Sequence, residues 1–111
     1  MNELLQNYVI DTQHPRVSGI EHLQMLYNRS ELAKVESSLT AEECQQLAAA
    51  DLLLVFYAKE FWAELSHFID LTQERHRLNV SKEQWWWYLD IIAQLPGYLI
   101  KQPKMMKPVL A

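Results

Sequence analysis

The 111-residue chain has only two glycines, Gly19 and Gly97, and no proline between Pro15 and Pro96. Sheet-and-turn architectures depend on those two residues for their punctuation, so residues 16–95 do not read as strands. The same scarcity argues against phosphate-cradling loops, where glycine lets the backbone approach the ligand. A single cysteine, Cys44, rules out an internal disulfide and any paired-cysteine zinc pattern. The longest unbroken apolar run, Leu52 to Ala58, is far short of the roughly 20 residues that span a bilayer, so no membrane insertion is expected. The opening MNELLQNYVIDTQ lacks the basic start and small-residue cleavage site of a signal peptide. The expected location is cytoplasmic.

What the chain does have is apolar content: half of its residues are hydrophobic, enough for one core at this length and too little chain for two. The expectation is a single helical domain over 1–111. Net charge is −4, which disfavours a broad electrostatic grip on nucleic acid. The charge is unevenly spread, with 12 acidic and 4 basic residues in 1–74 against 2 acidic and 6 basic in 75–111.

The stretch from Thr40 to Arg77 contains neither glycine nor proline. Thr40 and Glu43 form a capping box, in which hydroxyl and carboxylate satisfy each other's orphan backbone donors. At about 100° per residue, Leu47, Ala50, Leu54, Tyr57, Ala58, Phe61, Trp62, Leu65, Phe68 and Ile69 fall on one stripe, a core face. The spacing predicts one long central helix over about 41–77. Such a helix would be about 55 Å long, more than a domain of this size is wide. Either it kinks, with Asp51 on the apolar stripe as the place, or one end passes beyond its own domain. Asp51 has a second reading, as acceptor for an arginine or tyrosine in a buried network. Leu52 and Phe56 project from the polar back, four residues apart, and read as association residues unless another helix of the chain covers them.

Before that stretch, residues 1–17 read as an apolar strap or one or two helical turns. Ser18 and Glu21 make a second box, followed by Leu23, Leu26 and Tyr27 on the face of Ile20. The apolar positions then rotate to Met25, Leu32, Val35 and Leu39, which predicts a break near Asn28 to Ser30. After it, Ser81 and Gln84 form a third box and a Trp-rich C-terminal helix is expected over about 82–95, ended by Pro96-Gly97. On a helical wheel Trp85 joins Tyr88, Leu89, Ile92 and Leu95, Trp86 lies at the border, and Trp87 points near the polar side. Exposed tryptophans are enriched at association hot spots, so Trp86 and Trp87 join the candidate interface; the competing reading is cover by the strap or the tail. The basic, proline-containing tail 98–111 sets Lys101, Lys104 and Lys107 among Met105 and Met106, a candidate segment for docking on another protein.

Glu64 and His67 have the Glu-x-x-His spacing of ferritin-like carboxylate bundles, with Glu60 one turn earlier. A second such motif is missing, since Gln73 stands where Glu is needed before His76. A solvated face is the preferred reading, with no metal or other cofactor expected. Cys44 reads as a quiet, partly buried thiol.

These residues imply an all-α fold, a small bundle of about four helices built on the long central helix. The implied function is a non-catalytic intracellular protein–protein interaction or regulatory module, a homodimer that also meets another protein. The alternative is a bundle that binds a small apolar ligand or a metal through the aromatic cluster or Glu60, Glu64 and His67, with an enzyme as one form of it.

Overall fold

In the computed structural model, which describes residues 2–96, the chain is all-α, and no strand occurs among the described residues. Helix α1 spans Glu3–Asp11, α2 Gly19–Val35, α3 Ala41–Phe56, α4 Ala58–Leu65, α5 Leu71–Leu78 and α6 Leu89–Ile92. Two 3₁₀ turns, Glu36–Ser38 and Trp85–Tyr88, join α2 to α3 and lead into α6. No helix among the described residues is long and apolar enough to cross a membrane.

The expected helix over 41–77 is three helices, α3, α4 and α5, and its breaks fall elsewhere than Asp51. The first break is slight. Tyr57 leaves helical geometry for one residue, but its N–H still donates to the Leu53 carbonyl and its carbonyl still accepts from Phe61. The second is complete: Ser66 returns its hydroxyl to the Trp62 carbonyl, and Asp70 caps α5 by accepting from the N–H groups of Thr72 and Gln73. A competing N-cap inside a helical pattern ends the first helix and starts another. Asn79, in the left-handed region, closes α5.

The organising helix is α2. It is continuous through Asn28 to Ser30, where a break was expected, because the turn of apolar positions there reflects two inward polar side chains, Arg29 and Ser30, and no change of axis. α2 packs against α1, α4 and the Trp turn, while α3 lies on α1 and runs on into α4. The core joins Leu5 and Tyr8 of α1, Met25, Leu26 and Leu32 of α2, Leu47 and Leu54 of α3, and Phe61 and Leu65 of α4 to the indoles of the Trp turn. The expected strap is thus α1, a helix with its own cap at Asn2, whose side chain accepts from Leu4 and Leu5 N–H.

At the other end of α2, Gly19 is required by close approach. A Cβ there would stand 2.3 Å from the Glu64 carbonyl oxygen and 2.7 Å from the Phe68 ring, so the start of α2 rests directly on the end of α4. Phe68, expected in the core, is 53% exposed and Ile20 is 61% exposed. α4 stops at Leu65, which takes Phe68 off the stripe that Phe61 and Leu65 continue.

Candidate functional site

α3 is built to be two-sided. Its sequence, AEECQQLAAADLLLVF, is rich in strong helix formers, and the Thr40–Glu43 capping box is complete, with Glu43 N–H donating to the Thr40 hydroxyl and Thr40 N–H donating to the Glu43 carboxylate. The inner face buries Leu47, Ala50, Leu53 and Leu54. The outer face presents Ala41, Cys44, Gln45, Ala48 and Leu52 to solvent, flanked by half-buried Val55 and Phe56. Leu52 is 47% exposed. Phe56 is half-covered by its own neighbour, its ring lying edge-on to Tyr57 at 4.9 Å. Of the four candidate interface residues, Leu52 and Phe56 therefore share one outward face. Cys44 also lies on that face and is exposed, contrary to the partly buried thiol expected.

Trp86 and Trp87 are elsewhere, in the core, at 3% and 1% exposure. This corrects their placement in an interface. The cause is local: Lys82 to Gln84 do not enter a helix, and Trp85–Tyr88 is a 3₁₀ turn. In a 3₁₀ turn, residues three apart eclipse each other, so Trp85 and Tyr88 share the outer side and Trp86 and Trp87 are both turned inward. Their polar handles are satisfied by one group. The Nε1–H of each donates to the Ser30 hydroxyl oxygen at 2.9 Å, using both of its lone pairs. α2 contributes to that cover through Ser30 and Arg29, and α1 shares the same core. Outside the turn, Lys82, Trp85, Tyr88, Ile91 and Ile92 line an apolar groove of about 300 Å³. It is an open surface groove, whereas small-molecule sites bury most of their ligand.

Beneath the outer face, Asp51 is an acceptor in a polar network and not the mark of a kink. The Tyr8 hydroxyl donates to its Oδ1 at 2.6 Å, and Arg29 donates from Nε at 2.9 Å and from Nη2 at 3.0 Å. Arg29 also lies over the Trp86 ring at 4.4 Å. Burial, followed by the Asp51 carboxylate, pushes the Tyr8 phenol well above its ordinary range. For Arg29, burial acts downward, but the hydrogen bonds and charge of Asp51 outweigh it and the guanidinium is held still more firmly protonated. The network ties α1, α2 and α3 together and fixes which face of α3 turns inward. Arg75 makes a similar tie, donating to the Asp90 carboxylate and the Trp87 carbonyl and so holding α5 to the Trp turn and α6.

The residues of the metal alternative are not brought together. Glu60 is half-buried with Arg16 at 3.9 Å, Glu64 is half-buried beneath Gly19, and His67 is exposed beyond the end of α4, so the helical spacing the motif needs is lost. Among the described residues no group of three or more His, Cys, Asp or Glu is placed to hold a metal ion. Lys101, Lys104, Met105, Met106 and Lys107 lie outside the described residues. Sequence reasoning missed the exposure of Ile20 and Phe68; for Phe68 the signal was Asp70, an N-cap residue ahead of Leu71-Thr72-Gln73 that starts α5 and so ends α4. Comparison with protein-family models, curated proteins and solved structures gives no match for this chain.

Proposed function

We propose that this chain is a non-catalytic intracellular protein–protein interaction module that works as a homodimer, with the outer face of α3 as its contact surface. The observation that carries the reading is Leu52, held outward at 47% exposure on a long, well-capped helix whose opposite face is locked into the core. Solvent exposure of one leucine is ordinary. Here it continues into Ala48, Val55 and Phe56 on a rigid helix, an arrangement that loses little side-chain entropy when a second surface covers it.

The test is light scattering after size exclusion across a dilution series. The wild-type chain is expected to move from dimer to monomer on dilution, and Leu52→Glu to weaken the dimer about a hundredfold or more, since the new carboxylate is desolvated in the contact. A wild-type chain that stays monomeric up to about 0.5 mM, well above the concentration at which an interface of modest size assembles, overturns the proposal.

A further inference from the structure

We infer that two copies of the chain pair through α3 in antiparallel register, with Ala48 of one subunit opposite Leu52 of the other. The inference rests on the self-association proposed above and adds its geometry. Residues 41, 45, 48, 52, 55 and 59 follow one another at spacings of four and three, the pattern by which two helices keep a common seam. All but half-buried Val55 are exposed. Lys59 lies just past Tyr57, across which the helical hydrogen bonds continue. Read backwards the spacing is the same, so the seam can meet its own reverse about a two-fold axis.

Side-chain volume then selects the direction. The first half of the seam carries Ala41, Gln45 and Ala48, and the second half carries Leu52 and Val55, with Phe56 beside it. Antiparallel pairing sets large against small at the centre of the seam, where Ala48 meets the partner subunit's Leu52, and places Gln45 opposite the partner subunit's Val55. Parallel pairing sets Leu52 on its own copy and leaves Ala48 facing Ala48, a gap in the middle of the contact. Charge selects the same way. Exposed Glu42 flanks the beginning of the seam, while its end carries exposed Lys59 and the Arg16–Glu60 pair. Antiparallel pairing brings that acidic end to the lysine; parallel pairing stacks acid on acid.

The register also assigns Cys44. At about 1.5 Å per residue, the two copies of Cys44 stand about 18 Å apart along an antiparallel seam, and the two copies of Gln45 about 15 Å apart. Both separations exceed the roughly 7 Å within which Cα atoms can be bridged by a disulfide. Cys44 on this face is thus kept from linking the two subunits. A single-helix contact lies at the low end of specific interface sizes, so subunits exchange readily and variants can be mixed.

The experiment uses the full chain with Cys44→Ser, carrying either Gln45→Cys or Val55→Cys, each checked by circular dichroism for an unchanged helical spectrum. The two proteins are mixed in equal amounts and oxidised with glutathione disulfide, which is reduced to two glutathione thiols per cross-link formed, and the disulfides are identified by intact mass and peptide mapping. The hybrid, position 45 bonded to position 55, is expected in several-fold excess over either self-linked species. A preponderance of self-linked species means a parallel pair and overturns the inference. If the Cys44→Ser parent is dimeric by light scattering and no species cross-links, the register is wrong while self-association stands; if that parent is monomeric throughout, both fail. Should Val55→Cys disturb the fold, Ala41→Cys and Lys59→Cys, both at exposed positions, replace the pair with the same expected outcome.

Discussion

The Trp85–Tyr88 turn and the outer face of α3 pose the same problem in sequence, large apolar side chains on what a helical wheel makes the wet side, and the molecule solves it in opposite ways. At the turn the backbone changes. With three residues per turn instead of 3.6, Trp86 and Trp87 both rotate into the core, where the Ser30 hydroxyl accepts both indole N–H groups. On α3 the backbone stays regular, the wheel remains valid, and Leu52 stays outside. An apolar residue that breaks a helical pattern thus marks a surface only where the helix itself is sound; elsewhere it signals that the period has been misjudged.

The largest effect that would test this contrast comes from truncating one residue of each kind. Trp87→Ala is expected to cost about 3–5 kcal/mol, the range for emptying a large buried aromatic site. Leu52→Ala, measured on the monomer at low concentration, is expected to stay within about 0.5 kcal/mol. Urea unfolding followed by far-UV circular dichroism reads both. Comparable losses at the two positions would erase the distinction between them.

A smaller effect sharpens the account of the turn. Ser30→Ala removes a single oxygen atom but leaves two buried indole N–H groups with no acceptor, at an expected cost of about 2 kcal/mol or more. Adding Trp86→Phe, which deletes one of the orphaned donors, should make the loss from Ser30→Ala smaller than it is in the wild-type background. Equal losses in the two backgrounds would mean that the shared acceptor contributes nothing specific.

Much of this was legible in the residues. The all-α class followed from the lack of glycine and proline, the start of α3 from Thr40 and Glu43, and the inward side of α3 and α4 from the spacing of Leu47, Leu54, Phe61 and Leu65. Three things were hidden. The end of α4 was overridden by Asp70, whose competing cap was overlooked, and that error placed Phe68 in the core. Continuity of α2 was hidden because Arg29 and Ser30 are polar residues with inward partners more than twenty positions away, Asp51 and the two indoles. Rotation of the Trp turn was hidden because nothing local separates three from 3.6 residues per turn in Trp-Trp-Trp-Tyr; only packing against α2 decides it. For the candidate site, the outer α3 pair was readable and the tryptophans were not, for the same reason.

The last and smallest effect extends the contrast between inside and outside to titration. His22 is buried on α2, with Nε2 2.9 Å from the Pro15 carbonyl and its ring edge-on to Phe61 at 4.6 Å. Burial pushes its pKa below the ordinary 6.5, and the Pro15 carbonyl, Glu64 and Glu21 only partly oppose that. A folded-state pKa below the unfolded one means that the unfolded chain takes up the proton first. The stability tied to neutral His22 is therefore present above about pH 6.5 and is lost as pH falls through the lower folded value, with a slope of at most about 1.4 kcal/mol per pH unit. Asp11, whose carboxyl is raised by burial and then by Glu21, has the opposite sign and favours the fold on acidification, so it does not produce the fall expected from His22. Urea midpoints between pH 7.5 and 5.5 should fall for the wild type and lie nearly flat for His22→Gln. The α3 outer face offers no buried imidazole, so the pH slope of the Leu52→Ala monomer should match that of the wild type; a slope that changes with Leu52 would place the acid-sensitive contact on α3 instead of at the α2–α4 junction.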